Sequence, residues 1–207
     1  MDEMKRALID EYSRLHATTD YGGSGHKVLP FLLPHVLAAN PTSIVDYGCG
    51  RSNLALLLAD KAGIASVAMY DPAVPERSTK PETVADLLIN VDVLEHVPDE
   101  EIDAVVAEMA TMAREALIVV DTRPAKALLS DGRNAHVSQH GEAWWLERLK
   151  RAYPTLKPFR MRRHGRVGFK TFDAALPVIE EWSIMSREVA ARHARRWVRI
   201  LTGRGRG

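Results

Sequence analysis

The sequence predicts an α/β fold, a doubly wound, mostly parallel sheet closed by an antiparallel hairpin near its C-terminus. Three observations predict it. Short apolar, β-branched runs alternate with helical patterns between residues 43 and 121, as in parallel strands joined by crossover helices. Two of the runs carry acids at or just past their ends, Asp46 and Asp71. Between the first run and its helix stands Gly48-Cys49-Gly50, where glycine permits positive φ and lets a ligand approach the backbone. The helix start behind it presents unpaired N–H groups and a positive dipole end, and ligands of open α/β sheets sit outside the carboxyl ends of the strands.

In chain order, residues 2–16 read as an amphipathic helix with Met4, Leu8, Tyr12 and Leu15 on one stripe. Thr18 to Gly25 is turn chemistry, and a helix from about His26 to Ala39 ends at Asn40-Pro41. Strands follow at Ser43–Tyr47 and Ser66–Tyr70, with a helix over Ser52–Ala62 between them. Pro72, Pro75 and Pro81 then forbid a regular helix, and a strand begins at Ala85 and runs to Val91. Pro98-Asp99-Glu100-Glu101 opens a helix with the stripe Ile102, Val105, Val106, Met109 and Met112. The methionines fall at helical spacing and read as core. A strand at Ala116–Val120 ends at Asp121. The polar connection 122–141 is long enough to be functional. A helix over Glu142–Tyr153, a hairpin of Lys157–His164 and Val167–Phe172, and a helix over Pro177–Leu201 complete the chain.

The chain has 207 residues, 46% hydrophobic and 27% charged, enough for one domain with a sizeable core. The division expected within it is an N-terminal helical lid segment at 1–40, a sheet domain at 41–176, and a basic helix and tail at 177–207. Cys49 is the one cysteine, which excludes an internal disulfide and fits a reducing, cytoplasmic compartment. No apolar run is long enough to span a membrane. The net charge of +1 is unevenly spread: residues 150–207 hold 15 Lys+Arg against 4 Asp+Glu, leaving 13 against 23 for residues 1–149. Such asymmetry suits either an anionic partner or attraction between the two parts.

Val45-Asp46-Tyr47-Gly48-Cys49-Gly50 resembles the first motif of the class I S-adenosylmethionine-dependent methyltransferases. Asp71 looks like their ribose-binding acid, and Asn90-Val91-Asp92-Val93-Leu94-Glu95-His96-Val97-Pro98-Asp99 is similar to the fourth-strand motif of their small-molecule branch. The connection 122–141 is similar to stretches in bacterial and phage members. The likeness spans roughly residues 40–125 and implies a Rossmann-like fold with S-adenosylmethionine as cofactor. It implies cofactor contacts from Asp46, Gly48, Cys49, Gly50, Asp71, Asn90, Val91 and Asp92. Tyr21 in the lid and Pro72 after the second strand are added as further candidates. Ser52 stands where the family usually has a third glycine. The interval 71–84 lacks room for the helix, strand and helix that the family inserts there, so a reduced or missing third strand is expected.

Methyl transfer from a sulfonium requires positioning of the acceptor and, where the nucleophile starts protonated, a base. Histidine suits the second task. His96, after the strand at Ala85–Val91, and His136, on the connection after Asp121, are the candidate bases. Arg133, Asn134 and His140 on that connection are candidate substrate contacts, Arg133 offering a donor fork for a carboxylate or phosphate. The expected substrate is a small-molecule or glycan-type acceptor methylated on oxygen or nitrogen. RNA or protein methylation through the basic C-terminal part is the alternative, and an NAD-binding oxidoreductase or a non-catalytic binding protein is further off. No Cys/His grouping or carboxylate cluster suggests a metal site, and the sequence is silent on oligomeric state.

Overall fold

The computed structural model describes residues 11–14 and 27–201. Tyr21, the Gly22–Gly25 hinge and most of the predicted first helix lie outside these residues. The described elements are α1 (Leu29–Ala39), β1 (Ser43–Tyr47), α2 (Leu54–Ala62), β2 (Ser66–Tyr70), β3 (Ala85–Val91), α3 (Asp99–Ala110), β4 (Ala113–Asp121), α4 (Glu142–Leu149), β5 (Lys157–Phe159), β6 (Arg166–Lys170) and α5 (Val178–Leu201).

They build a six-stranded sheet in the order β2-β1-β3-β4-β6-β5. The pairs from β2 to β4 are parallel, and β6 runs antiparallel to both β4 and β5. The central strands are apolar on both faces, as strands covered by helices on both sides must be. Their period-two alternation separates two cores. Leu88, Ile118 and Val120 face Ile102, Val106 and Met109 of α3 and Trp145 and Leu149 of α4. Leu87, Ile89, Leu117 and Val119 face Leu32 and Val36 of α1, Leu58 of α2 and Ile184 of α5.

The expected third strand is missing. The interval from Asp71 to Val84 carries only a 3₁₀ turn, Pro75–Arg77, so β2 is an edge strand. At the other end of the sheet, the Asp86 carboxylate accepts bonds from the Thr42 N–H at 2.9 Å and hydroxyl at 2.6 Å, holding β1 and β3 in register.

The elements agree with the sequence reading, and most of their ends lie within a few residues of it. Three of the differences have local reasons. Helix α2 starts two residues late because the Ser52 hydroxyl accepts the Leu54 N–H at 3.1 Å, satisfying an orphan donor of the first turn. The residue in place of the third glycine thus braces the entry to the helix, one position before its N-cap Asn53. Strand β4 starts three residues early, where Ala85 and Ala113 pair. Strand β5 stops at Phe159, and the chain reaches β6 through Arg162 at φ 51°. Helix α5 docks on α1 and α2: Ile184 and Met185 are buried, and Glu188 pairs with Lys61 at 2.7 Å. Among the described residues no helix is long and apolar enough to cross a membrane.

Candidate active site

The crevice lies at the carboxyl ends of β1 to β4, where each central strand delivers polar groups. After β1 the backbone turns through Gly48 at φ 73° and Gly50 at φ 52°. A Cβ on Gly48 would lie 2.6 Å from both methyls of Val93. The glycine is therefore required by the segment after β3, which packs across the loop. The Gly48 N–H donates to Tyr70 O at 2.8 Å, tying the loop to the end of β2.

Asp71 grips the same loop. Its Oδ2 accepts the Gly50 N–H at 2.7 Å and its Oδ1 the Ala73 N–H at 2.8 Å. A carboxylate has about four acceptor positions, so these bonds leave room for a diol. Arg77 closes the loop from outside, donating to Gly50 O at 2.8 Å and Ser52 O at 2.9 Å. Nothing in the sequence pointed to Arg77. Cys49 is buried beneath it, and burial pushes its thiol up to about 12, so it is inert. Pro72 is exposed on the rim.

Asp46 lies under this loop, 3% exposed. Its Oδ2 has no hydrogen-bond partner among the described residues. Burial raises its carboxyl from 3.8 to about 7, with Arg77 pulling it down and Asp71 pushing it up. The folded chain therefore holds this proton more tightly than the unfolded chain. The stability linked to it is complete below the unfolded value and is lost as pH rises towards about 7. Asp46→Asn is expected to melt ~2–4 °C above the parent at pH 8 for each kcal/mol recovered, with little difference at pH 4. Thermal melts at both pH values check this, and parallel curves would assign the proton elsewhere.

At the end of β3, Asn90 is fully buried and donates from Nδ2 to Tyr47 O at 3.0 Å. Val91 packs against the α1-side core. Asp92 adopts φ 57°, sparsely populated for a non-glycine residue. Its carboxylate forms a two-pronged ion pair with Arg166 of β6 at 2.8 and 2.7 Å, and Arg166 also lies 3.2 Å from Asp121. Asp92, expected at the cofactor, is thus engaged by Arg166.

The turn Leu94–His96 follows. Glu95 is fully buried, and its Oε1 accepts the Asp121 N–H at 3.1 Å. Burial, then the charge of Asp92, holds its carboxyl well above the usual range. His96 and His136 meet beside it with ring centroids 4.7 Å apart. His96 Nδ1 lies 2.8 Å from Ala135 O, and His136 Nδ1 lies 2.5 Å from Arg123 O. Carbonyls only accept, so each Nδ1 carries a proton, and in the neutral ring Nε2 carries the lone pair. Tyr12 covers the pair: its hydroxyl donates to Ala135 O at 2.8 Å and its ring meets His96 edge-on. The helical turn 11–14 reaches both rims, since Ser13 bonds Ala73 O and Glu11 accepts from Ser130.

The remaining candidates of the 122–141 connection face elsewhere. The Asn134 side chain bonds the backbone of Ala125 and His136, shaping the loop that delivers His136. Arg133 pairs with Asp131 and lines a separate cavity with Pro98 and Val137. His140 pairs with Asp99 at 2.8 Å and stacks on Trp144, latching the connection to α3. Glu95 was passed over although its signal is visible, an acid inside the apolar run Val93 to Val97.

A profile of the methyltransferase domain matches residues 2–164. The chain belongs to the methyltransferase-domain family. No curated protein sequence matches it. Among solved structures, the fold of this methyltransferase is similar to an O-methyltransferase family protein from Burkholderia thailandensis, with TM-score 0.55 at 14% identity over 84% of this chain and 60% of that one. PigF with SAH gives TM-score 0.51 at 11% identity over 81% and 60%. DhpI in complex with SAM and HEP gives 0.50 at 14% over 81% and 95%. The chain thus spans 60% of the length of the first two. The neighbours share its Rossmann-like sheet with the antiparallel hairpin.

Proposed function

We propose that the protein transfers the methyl group of S-adenosylmethionine to an oxygen or nitrogen of a small-molecule acceptor. The observation that carries this is the His96–His136 pair, two imidazoles whose Nε2 lone pairs are fixed by carbonyl acceptors, beside the glycine loop of a methyltransferase domain. The cofactor's ribose would use the remaining acceptor positions of Asp71, and its sulfonium would point along the crevice to the histidines. The acceptor's proton is lost there. A cavity of about 690 Å³, reached through Arg166, is lined by Arg160 and Arg163, by Arg162 and Arg166, each paired with a carboxylate, and by Glu142, Phe31 and Trp182. It supports an acceptor bearing a carboxylate or phosphate.

Calorimetry with S-adenosylhomocysteine and with NAD tests the cofactor. Binding of the former alone is expected, and binding of NAD alone would sink the reading. A labelled-methyl screen of anionic metabolites then identifies the acceptor.

A further inference from the structure

We propose that Glu95, His96 and His136 form a binding site for one divalent transition-metal ion. One ligand atom from each residue comes together within 4.8 Å of the other two. They arrive from the turn after β3 and from the connection after β4, so the fold, and not local sequence, assembles them.

Three further features fit a cation. First, each imidazole has its Nδ1 on a backbone carbonyl, at Ala135 and Arg123. That partner fixes the ring orientation and is the outer contact that metal-binding histidines commonly make. Second, Glu95 is fully buried, and its Oε2 has no hydrogen-bond partner among the described residues. A carboxylate oxygen left so inside a protein is costly, and a cation would satisfy it. Third, the acids around it do not compete for the ion, because Asp92 and Asp121 are both engaged by Arg166.

Two imidazoles and one carboxylate favour a borderline ion such as zinc, cobalt, manganese or iron over magnesium or calcium, which prefer all-oxygen sites. Bonds of ~2.0–2.2 Å require ligand atoms roughly 3–3.5 Å apart. The side chains need to close by about 1 Å, within the reach of small χ changes. Three protein ligands leave a position open for another group.

What the ion does rests on the methyltransferase reading; that it binds does not. A hydroxyl of the acceptor would fill the open position and lose its proton to solvent at a lowered pKa. The oxygen lone pair then forms the O–CH₃ bond while the S–CH₃ bond breaks. Its electron pair stays on sulfur, giving the neutral thioether. The histidines in this arrangement hold the ion and do not carry the proton.

The test uses the full chain, treated with chelator and then dialysed against zinc, cobalt or manganese. One equivalent per chain by elemental analysis is expected, with a cobalt visible spectrum that shows nitrogen ligation. Glu95→Gln, His96→Ala and His136→Ala should each weaken the ion by more than the ~10–100-fold typical of losing an outer hydrogen-bond partner. Circular dichroism establishes folding of the variants, and the cobalt spectrum of the parent tests the site without them. Substoichiometric metal on the parent, or unchanged metal content in the three folded variants, overturns the site. Titration of S-adenosylhomocysteine into the same samples separates the two readings. Metal bound without it leaves the site and sinks the methyltransferase assignment, and the converse does the opposite.

Discussion

His96→Ala and His136→Ala are each expected to lose about 10²–10⁴ in kcat while S-adenosylhomocysteine affinity changes little. The two rings form one unit, 4.7 Å apart and backed by buried Glu95. Removing either leaves the other without a working partner, so the double variant should be scarcely worse than the single ones. His140→Ala is the contrast, because its imidazole is spent on Asp99. It should retain most of kcat. Single-turnover kinetics with cofactor saturating check all four. Losses that multiply in the double variant, or an equal loss in His140→Ala, would show that the pair is not the reacting centre. Chelator sensitivity of the parent enzyme then decides whether the histidines take the proton or hold a cation.

The second large effect is expected from Asp71→Ala. Its carboxylate accepts two backbone N–H bonds, from Gly50 at 2.7 Å and Ala73 at 2.8 Å, before any ligand arrives. Charge-assisted bonds of this kind contribute about 1.5–3 kcal/mol each, and their loss orphans two donors in the glycine loop. Affinity for S-adenosylhomocysteine should fall about 10–150-fold, from the ribose contact alone. The melting temperature should fall as well, by ~2–4 °C per kcal/mol in a chain of this size. Asp71→Asn retains one acceptor oxygen and should lie between. A lower melting temperature with unchanged affinity would mean that Asp71 builds the loop and the ribose is held elsewhere.

The fold was legible because its signals are local. Ser43–Tyr47, Ser66–Tyr70 and Ala85–Val91 are short, mainly apolar runs that stop at Gly48, Asp71 and Asp92, and each is a strand with those bounds. The reduced or missing third strand could be read as well, since the interval 71–84 is too short for a helix, strand and helix. The site was legible only in part. Acids and glycines at strand ends follow from the strand assignment, so the placing of Asp46, Gly48, Gly50 and Asp71 around one loop could be read in advance. Contacts made across the fold were not. Asp92 meets Arg166 over 74 positions, and Ala135, next to His136, meets His96 over 39. No periodicity encodes such a meeting. For the same reason Arg133, Asn134 and His140 were assigned to the substrate when two of them have nearer partners in Asp131 and Asp99 and Asn134 is spent on backbone within nine positions.

The short passage from β2 to β3 also bears on how quickly the chain can fold. Asp86 closes on Ser43 across only 43 positions, with no strand between β2 and β3. Loop-closure entropy grows with the logarithm of loop length, about 0.6 kcal/mol per doubling, and folding rates fall as contacts become more distant in sequence. The central β1–β3 ladder is thus drawn from nearer neighbours than a longer β2–β3 connection would allow. Refolding after dilution from denaturant should therefore outpace that of an equally stable variant in which the connection 71–84 is lengthened by an inserted flexible segment.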